Sequence, residues 1–222
     1  MVQRKKPSVA ARKAPRQARS NRLVEAILEA AVRVLSHEGA AAFTTSRVAE
    51  RAGVSVGSLY QYFPNKQAIL FRLQTDEWEA TGSMLDAILL DTRQKPRARL
   101  HAAVLAFFRS EVDEAPLRRA LGDAAPLYRD SPQAREKRRR GMPVLVRFVE
   151  ELAPRLPPRK RAFASELLVA LMTSLGKQVS ESDRSPQQVE AWAEAAADMF
   201  LAYLIQSQRG EQKARRAPAR KA

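Results

Sequence analysis

The stretch TTSRVAERAGVSVGSLYQYFPNK, residues 44–66, holds two short helical patterns that meet at Gly53 with only a few residues between them. Patterns this short are not stable as isolated helices, because nucleation costs more than so few hydrogen bonds return. Neighbouring elements must hold them. Thr45 is suited to cap the first pattern, Ser46 to Ala52, and Gly53 to end it in the left-handed conformation. Ser55 is placed to cap the second, which runs from Val56 to about Tyr62. Val48, Ala52, Val54, Leu59 and Phe63 then face inwards, and Ala49 is small where the two helices must cross closely.

A helix, a glycine turn and a second capped helix form a helix-turn-helix, whose second helix enters the DNA major groove with its first residues at the base edges. That role accounts for an otherwise odd composition. Gly57 lets backbone approach DNA, Ser58 and Gln61 offer hydrogen bonds, and Tyr60 and Tyr62 each join a packing ring to a hydroxyl that can meet phosphate. Lys66 opens the next helix, where its charge adds to free backbone N–H groups. A helical hairpin buried in a core would not show Gly57, Ser58 and Gln61 together.

The surrounding chain reads as all-α. Across 222 residues, 45% are hydrophobic and only eight are glycine, enough apolar content for a full core and little to interrupt helices. Leu23, Val24, Ile27, Leu28, Ala31, Val34 and Leu35 recur at helical spacing, with Ser20 or Asn21 as cap and Gly39 as stop. After Pro64 and Asn65 a helix starts near Lys66 and runs through Leu73. Longer patterns follow at about 74–92, 97–114, 132–152, 158–180 and 186–206, punctuated by prolines; Pro143 must either kink its helix or start a new one.

Charge is concentrated at the ends. The net charge is +15, of which residues 1–22 carry +8 and residues 209–222 carry +5, leaving +2 for the body between. Tails of Ala, Pro, Lys and Arg bury too little apolar surface to order themselves, so a disordered basic arm is expected at 1–19 and a disordered basic tail at 209–222. A polyanion suits both. Their composition also fits a solubility role, and the Arg-rich, acid-free first segment fits a transit peptide. Apolar runs such as LLVALM at 167–172 are too short to span a bilayer, so no membrane partner is expected. Without cysteine the chain has no thiolate nucleophile, disulfide or Cys-ligated zinc.

Residues 20–72 closely resemble the TetR family of bacterial transcriptional regulators, through a first helix ending at HEG and then the ungapped FTTSRVAERAGVSVGSLYQYFPNKQAIL against a TxxxVAxxAGVSxGxLYxYFxxK pattern. The resemblance implies an all-helical homodimer with an N-terminal three-helix DNA-binding domain at 20–72. It also implies a larger helical domain at 73–208 for effector binding and dimerisation. Carried over by position, Thr45, Tyr60, Tyr62 and Lys66 match phosphate contacts, while Ser46, Val56, Gly57 and Ser58 match positions near bases. Some members place long polar base readers where this chain has Ser46 and Val56; Val56 is fitted instead to pack on a thymine methyl.

In the second domain Trp78, Met84, His101, Phe107, Phe108, Tyr128 and Met172 are candidates to line a pocket for a small-molecule effector, although stripes of this kind also make ordinary core. Leu168, Leu171, Leu175, Trp192, Ala196, Met199 and Tyr203 lie on broad apolar faces that either close their own subunit or pair with a second copy. The run REKRRR at 135–140 reads as a solvated face or an anion site.

The function expected is a sequence-specific regulator, a repressor released from a palindromic double-stranded operator by an effector, in the bacterial cytoplasm and nucleoid-associated when on DNA. An activator of the same architecture and a non-specific nucleoid-type binder driven by the tails are the alternatives. No catalytic residue, metal or cofactor is assigned. The chain lacks phosphate-loop and HExxH patterns, and His37 and His101 lie far apart in sequence.

Overall fold

A computed structural model describes residues 18–124 and 132–216. Among them are nine α-helices and no strand: α1 Ala18–Ala42, α2 Thr45–Ala52, α3 Val56–Tyr60, α4 Lys66–Leu89, α5 Pro96–Asp113, α6 Ala115–Ala124, α7 Pro132–Leu152, α8 Pro158–Ser180 and α9 Pro186–Arg216. The all-α expectation holds. Most of the basic arm and residues 217–222 of the tail lie outside the described residues, but α9 continues past the boundary expected at 208.

The chain divides into two compact units, one of residues 1–79 with 116–134 and the other of 80–115 with 135–222. In the first, Val24, Ile27, Ala30, Ala31, Val34 and Leu35 of α1 form one wall of the core. Val48, Ala49, Leu59, Ile69 and Leu70 close it from α2, α3 and α4, with Phe43 and Phe63 from the connections before α2 and after α3. The α1 helix starts at Ala18, before the expected caps Ser20 and Asn21, and breaks at Gly39, which takes φ 81°. Asn65 caps α4, its Oδ1 accepting from the Ala68 N–H at 2.9 Å.

Three boundaries differ from the sequence expectation. The segments 66–73 and 74–92 are one helix, α4, since no proline or turn signal stands between them. Pro143 lies within α7. And α6 was not anticipated, because Pro116 reads as punctuation; it sits in the first turn of α6, where a missing N–H is harmless. Leu117, Ala120 and Leu121 of α6 pack on the first unit's core, and Arg118 Nη2 meets Glu77 Oε1 of α4 at 2.6 Å. This is why residues 116–124 belong with the N-terminal helices, not with the domain assigned to 73–208.

In the second unit α5 packs against both α8 and α9. Leu100, Val104 and Phe108 meet Ala164, Leu168 and Val179 of α8 and Val189, Ala197 and Phe200 of α9 in one core, which also takes Phe148 and Val149 of α7. Arg99 is only 3% exposed; Nη1 donates to the Leu89 carbonyl and Nη2 to the Glu151 carboxylate, with the guanidinium 5.2 Å over the Phe148 ring.

The α5–α8 approach depends on Gly176. A Cβ there would stand 2.7 Å from Phe107 Cε1 and 2.9 Å from Glu111 Cγ. Gly176→Ala is expected to destabilise by about 1–3 kcal/mol through overpacking, read as a lower urea midpoint. Gly210→Ala, with nothing within 4 Å, should be neutral or stabilising in the same assay.

Candidate nucleic-acid interface

Local chemistry fixes the α2–α3 pair. Thr44, extended at φ −129°, ψ 155°, caps α2 by accepting the Arg47 N–H at 3.1 Å, so the cap is Thr44 and the expected cap, Thr45, is the first helical residue. Adjacent threonines offer the same hydroxyl; the extended backbone falls on Thr44 and leaves Thr45 Oγ1 for the Tyr60 hydroxyl, 3.1 Å away. Gly53 ends α2 at φ 67°, ψ 30°, the left-handed region in which L side chains are strained, and the Gly53 and Val54 N–H groups satisfy the last carbonyls of α2. Ser55 caps α3 through the Ser58 N–H at 3.0 Å. The α3 helix stops at Tyr60, two residues earlier than expected.

Anchored by buried Leu59 and Phe63, this unit presents Ser46, Val56, Gly57, Tyr60, Gln61 and Lys66 to solvent, with Thr45 and Ser58 half-buried. Tyr62 differs from the others, since at 6% exposure its ring is part of the core. Gly57 is not demanded by the fold: a Cβ there would have only Ser55 Oγ within 4 Å, at 3.9 Å. A bare, unobstructed backbone at this point leaves room for another molecule to approach. Lys66 reaches back towards the Phe43 carbonyl, with Nζ 3.5 Å away.

An ion-pair cluster that sequence reading missed ties α2 to α1. Glu38 accepts from Arg47 Nε at 2.7 Å and Arg47 Nη2 at 3.1 Å, and from Arg51 Nη2 at 3.1 Å, while Arg47 Nη1 also reaches Glu50 at 2.8 Å. The hydrogen bonds from Arg47 hold the Glu38 carboxyl below its ordinary range, with Arg51 adding to them and partial burial opposing. The Arg47 guanidinium is correspondingly raised, chiefly by Glu38 and then Glu50. The only sequence signal was an acid one residue before the Gly39 break.

In the second unit the expected pocket residues do not form one visible site. Phe108 is fully buried, Phe107 and Met172 pack partly against the core, and His101 Nε2 lies 3.2 Å from Asp198 Oδ1 without hydrogen-bond alignment. Trp78, in the first unit, and Met84, in the second, are each half-buried, and Tyr128 lies outside the described residues. A cleft of about 520 Å³ is lined instead by Pro154, Leu156, Pro157, Arg161 and Glu211 among others. Side chains of the 135–140 run lie outside the described set.

Of the expected dimer residues, Leu168 is 7% exposed within its own core. Leu171, Leu175, Trp192, Ala196 and Tyr203 are half-buried, with Trp192 under the Arg184 guanidinium at 4.5 Å and Tyr203 stacked on Phe200. Met199 is 64% exposed, and the structure adds Phe163 at 57%, Val169 at 36% and Ile205 at 49%, which the sequence reading did not select. Among the described residues no helix is long and apolar enough to cross a membrane, and no group of three or more His, Asp or Glu is placed to hold a metal ion.

A short capped helix displayed by the core of the first unit, on a chain whose second unit is also helical, defines a helix-turn-helix DNA-binding protein with an appended helical domain. The comparisons make this specific. Residues 27–73 match the bacterial regulatory proteins of the tetR family and residues 95–207 the tetracyclin repressor-like C-terminal domain. The chain belongs to the TetR family of DNA-binding transcriptional regulators.

Among its relatives, the fatty acid metabolism regulator protein of Bacillus subtilis is 33% identical over 79 residues, 36% of this chain and 39% of that one. The regulator BetI of Paraburkholderia phytofirmans is 30% identical over 95 residues, 41% of this chain and 47% of that one. The chain thus spans less than half the length of these curated relatives. A TetR/AcrR-family regulator from Thermobifida fusca shares the fold with a TM-score of 0.65 at 21% identity, covering 82% of this chain and 97% of that one.

The α1–α2 clamp predicts a pH signature. A carboxyl held below its ordinary value contributes stability above that value and loses it as pH falls through the folded value. The Tm difference between wild type and Glu38→Gln should therefore be largest at neutral pH and shrink below about pH 4. An equal difference at both pH values would show that the charge of Glu38 is not what stabilises.

Proposed function

We propose that this chain is a homodimeric repressor that reads a palindromic operator through α3 and leaves it when a small-molecule effector binds the second unit. One observation supports the reading most directly. The element that the family places in the major groove exposes an apolar residue, a bare glycine, a tyrosine and a glutamine, none of them used by the chain's own core apart from the Thr45–Tyr60 bond.

In this reading the first turn of α3 faces the base edges. Tyr60, held by Thr45, and Lys66, at the start of α4, meet phosphates on either side. Tyr62 acts mainly as an anchor for α3. The exposed Phe163, Val169, Met199 and Ile205 on α8 and α9 meet the same residues of a second copy, removing apolar surface from water. Such a dimer sets two α3 helices roughly 34–36 Å apart, or a multiple of that, matching successive major grooves. An effector needs only to bind better to a dimer state with another spacing. The relatives named a fatty acid metabolism regulator and BetI differ from each other, so they suggest no single effector class.

The test compares the full chain with Met199→Glu. Wild type should sediment at twice the chain mass and prefer a duplex selected from random sequence over a scrambled one by roughly a hundredfold, about 2.7 kcal/mol. Met199→Glu should sediment as a monomer and lose most of that preference. A wild-type monomer with full preference would exclude the dimeric reading, and equal binding to all duplexes would exclude sequence reading by α3.

A further inference from the structure

Which groups on DNA the interface recognises follows from what its side chains still have to offer; the inference rests on the reading of α3 as the groove element. Most nearby hydrogen-bonding groups are already engaged. Ser58 Oγ lies 2.8 Å from Ser55 Oγ, which also takes the Ser58 N–H. The Tyr60 hydroxyl is bonded to Thr45, and Thr44 takes the Arg47 N–H. Arg47, the long cation of the first turn of α2, has Nε, Nη1 and Nη2 all on Glu38 and Glu50, and Arg51 points its Nε and Nη2 at Glu38. The guanidinium fork that most often reads guanine is therefore committed to holding α2 on α1.

What remains in the first turn of α3 is apolar. Val56 is 38% exposed and is followed by Gly57, where a Cβ would meet only Ser55 Oγ, at 3.9 Å. A single exposed valine is ordinary on a protein surface. Here it stands at the groove-facing position, flanked by a residue with no side chain and by hydroxyls already paired within the unit. In the major groove the one apolar feature on a base edge is the C5-methyl group of thymine.

We propose that Val56 recognises the 5-methyl group of a pyrimidine, so that one position in each half-site is specified as thymine by its methyl and 5-methylcytosine is accepted there in preference to cytosine. Gly57 gives the methyl room to seat against the valine. Burying one methyl is worth about a fourfold change in affinity, so losing it from both half-sites costs roughly fifteenfold.

Uracil scanning tests this. With an operator recovered by selection, each symmetric pair of thymines is replaced by deoxyuridine, and Kd is measured by fluorescence anisotropy for the full-length wild type and for Val56→Ala, whose fold is checked by its Tm. The expected result is one symmetric position at which uracil weakens wild type by roughly fifteenfold while Val56→Ala binds both duplexes alike. At that position 5-methylcytosine should bind wild type more tightly than cytosine by a similar factor, and Val56→Ala should not distinguish them. A recovered operator with no uracil penalty, or a penalty that persists in Val56→Ala, overturns the methyl reading alone. Failure to recover any preferred sequence overturns the groove-reading assignment as well.

Discussion

The structure turns on a helix too short to hold itself. A helix of five residues has almost no independent stability, so α3 exists because Leu59 and Phe63 are pulled into the core that α1 and α4 supply. Its caps are local, and its position is tertiary. Burying Leu59 and Phe63 contributes roughly 1.5–3 kcal/mol each, which fixes the orientation of Val56, Gly57 and Tyr60 without calling on their side chains. The separation of anchor from display lets the exposed residues be selected for contact with another molecule.

Charge completes the frame. Glu38 draws Arg47 and Arg51 onto the end of α1, so two cations of the helix-turn-helix are used to hold α2 on α1. This changes how the chain's basicity is understood. Its net charge is +15, mostly at the ends of the sequence, while the helix-turn-helix carries pairs that neutralise one another and leaves Lys66 exposed at the start of α4. In the proposed function, polyanion attraction and sequence reading by α3 would thus reside in different parts of the chain.

The DNA-binding half was legible in the sequence because each signal there is local. Gly53 needs a left-handed turn, Ser55 caps at fixed spacing, and Val48, Leu59 and Phe63 keep the inward period. The error of one residue at Thr44 and Thr45 arose because both carry the same capping hydroxyl and only the backbone separates them. The second half was less legible because its signals are non-local. Nothing in APLRRALGDA announces that Leu117 and Leu121 pack on the N-terminal core, and Pro116 reads as a break. Apolar stripes on α8 and α9 could be seen, but which residues of a stripe close the subunit and which remain exposed depends on the placement of α5. Hence Leu168 turned inwards while Phe163 and Ile205 stayed out.

The central claim, that paired α3 helices lie in DNA grooves, can be tested directly because the chain contains no cysteine. Gln61→Cys would carry a single iron chelate at the end of α3, and strand cleavage on the selected duplex would map its position. Two symmetric clusters of cuts, separated by about one helical turn of 10–10.5 base pairs or a multiple of it, are the result predicted. Cuts scattered evenly along the duplex, or confined to its ends, would contradict it.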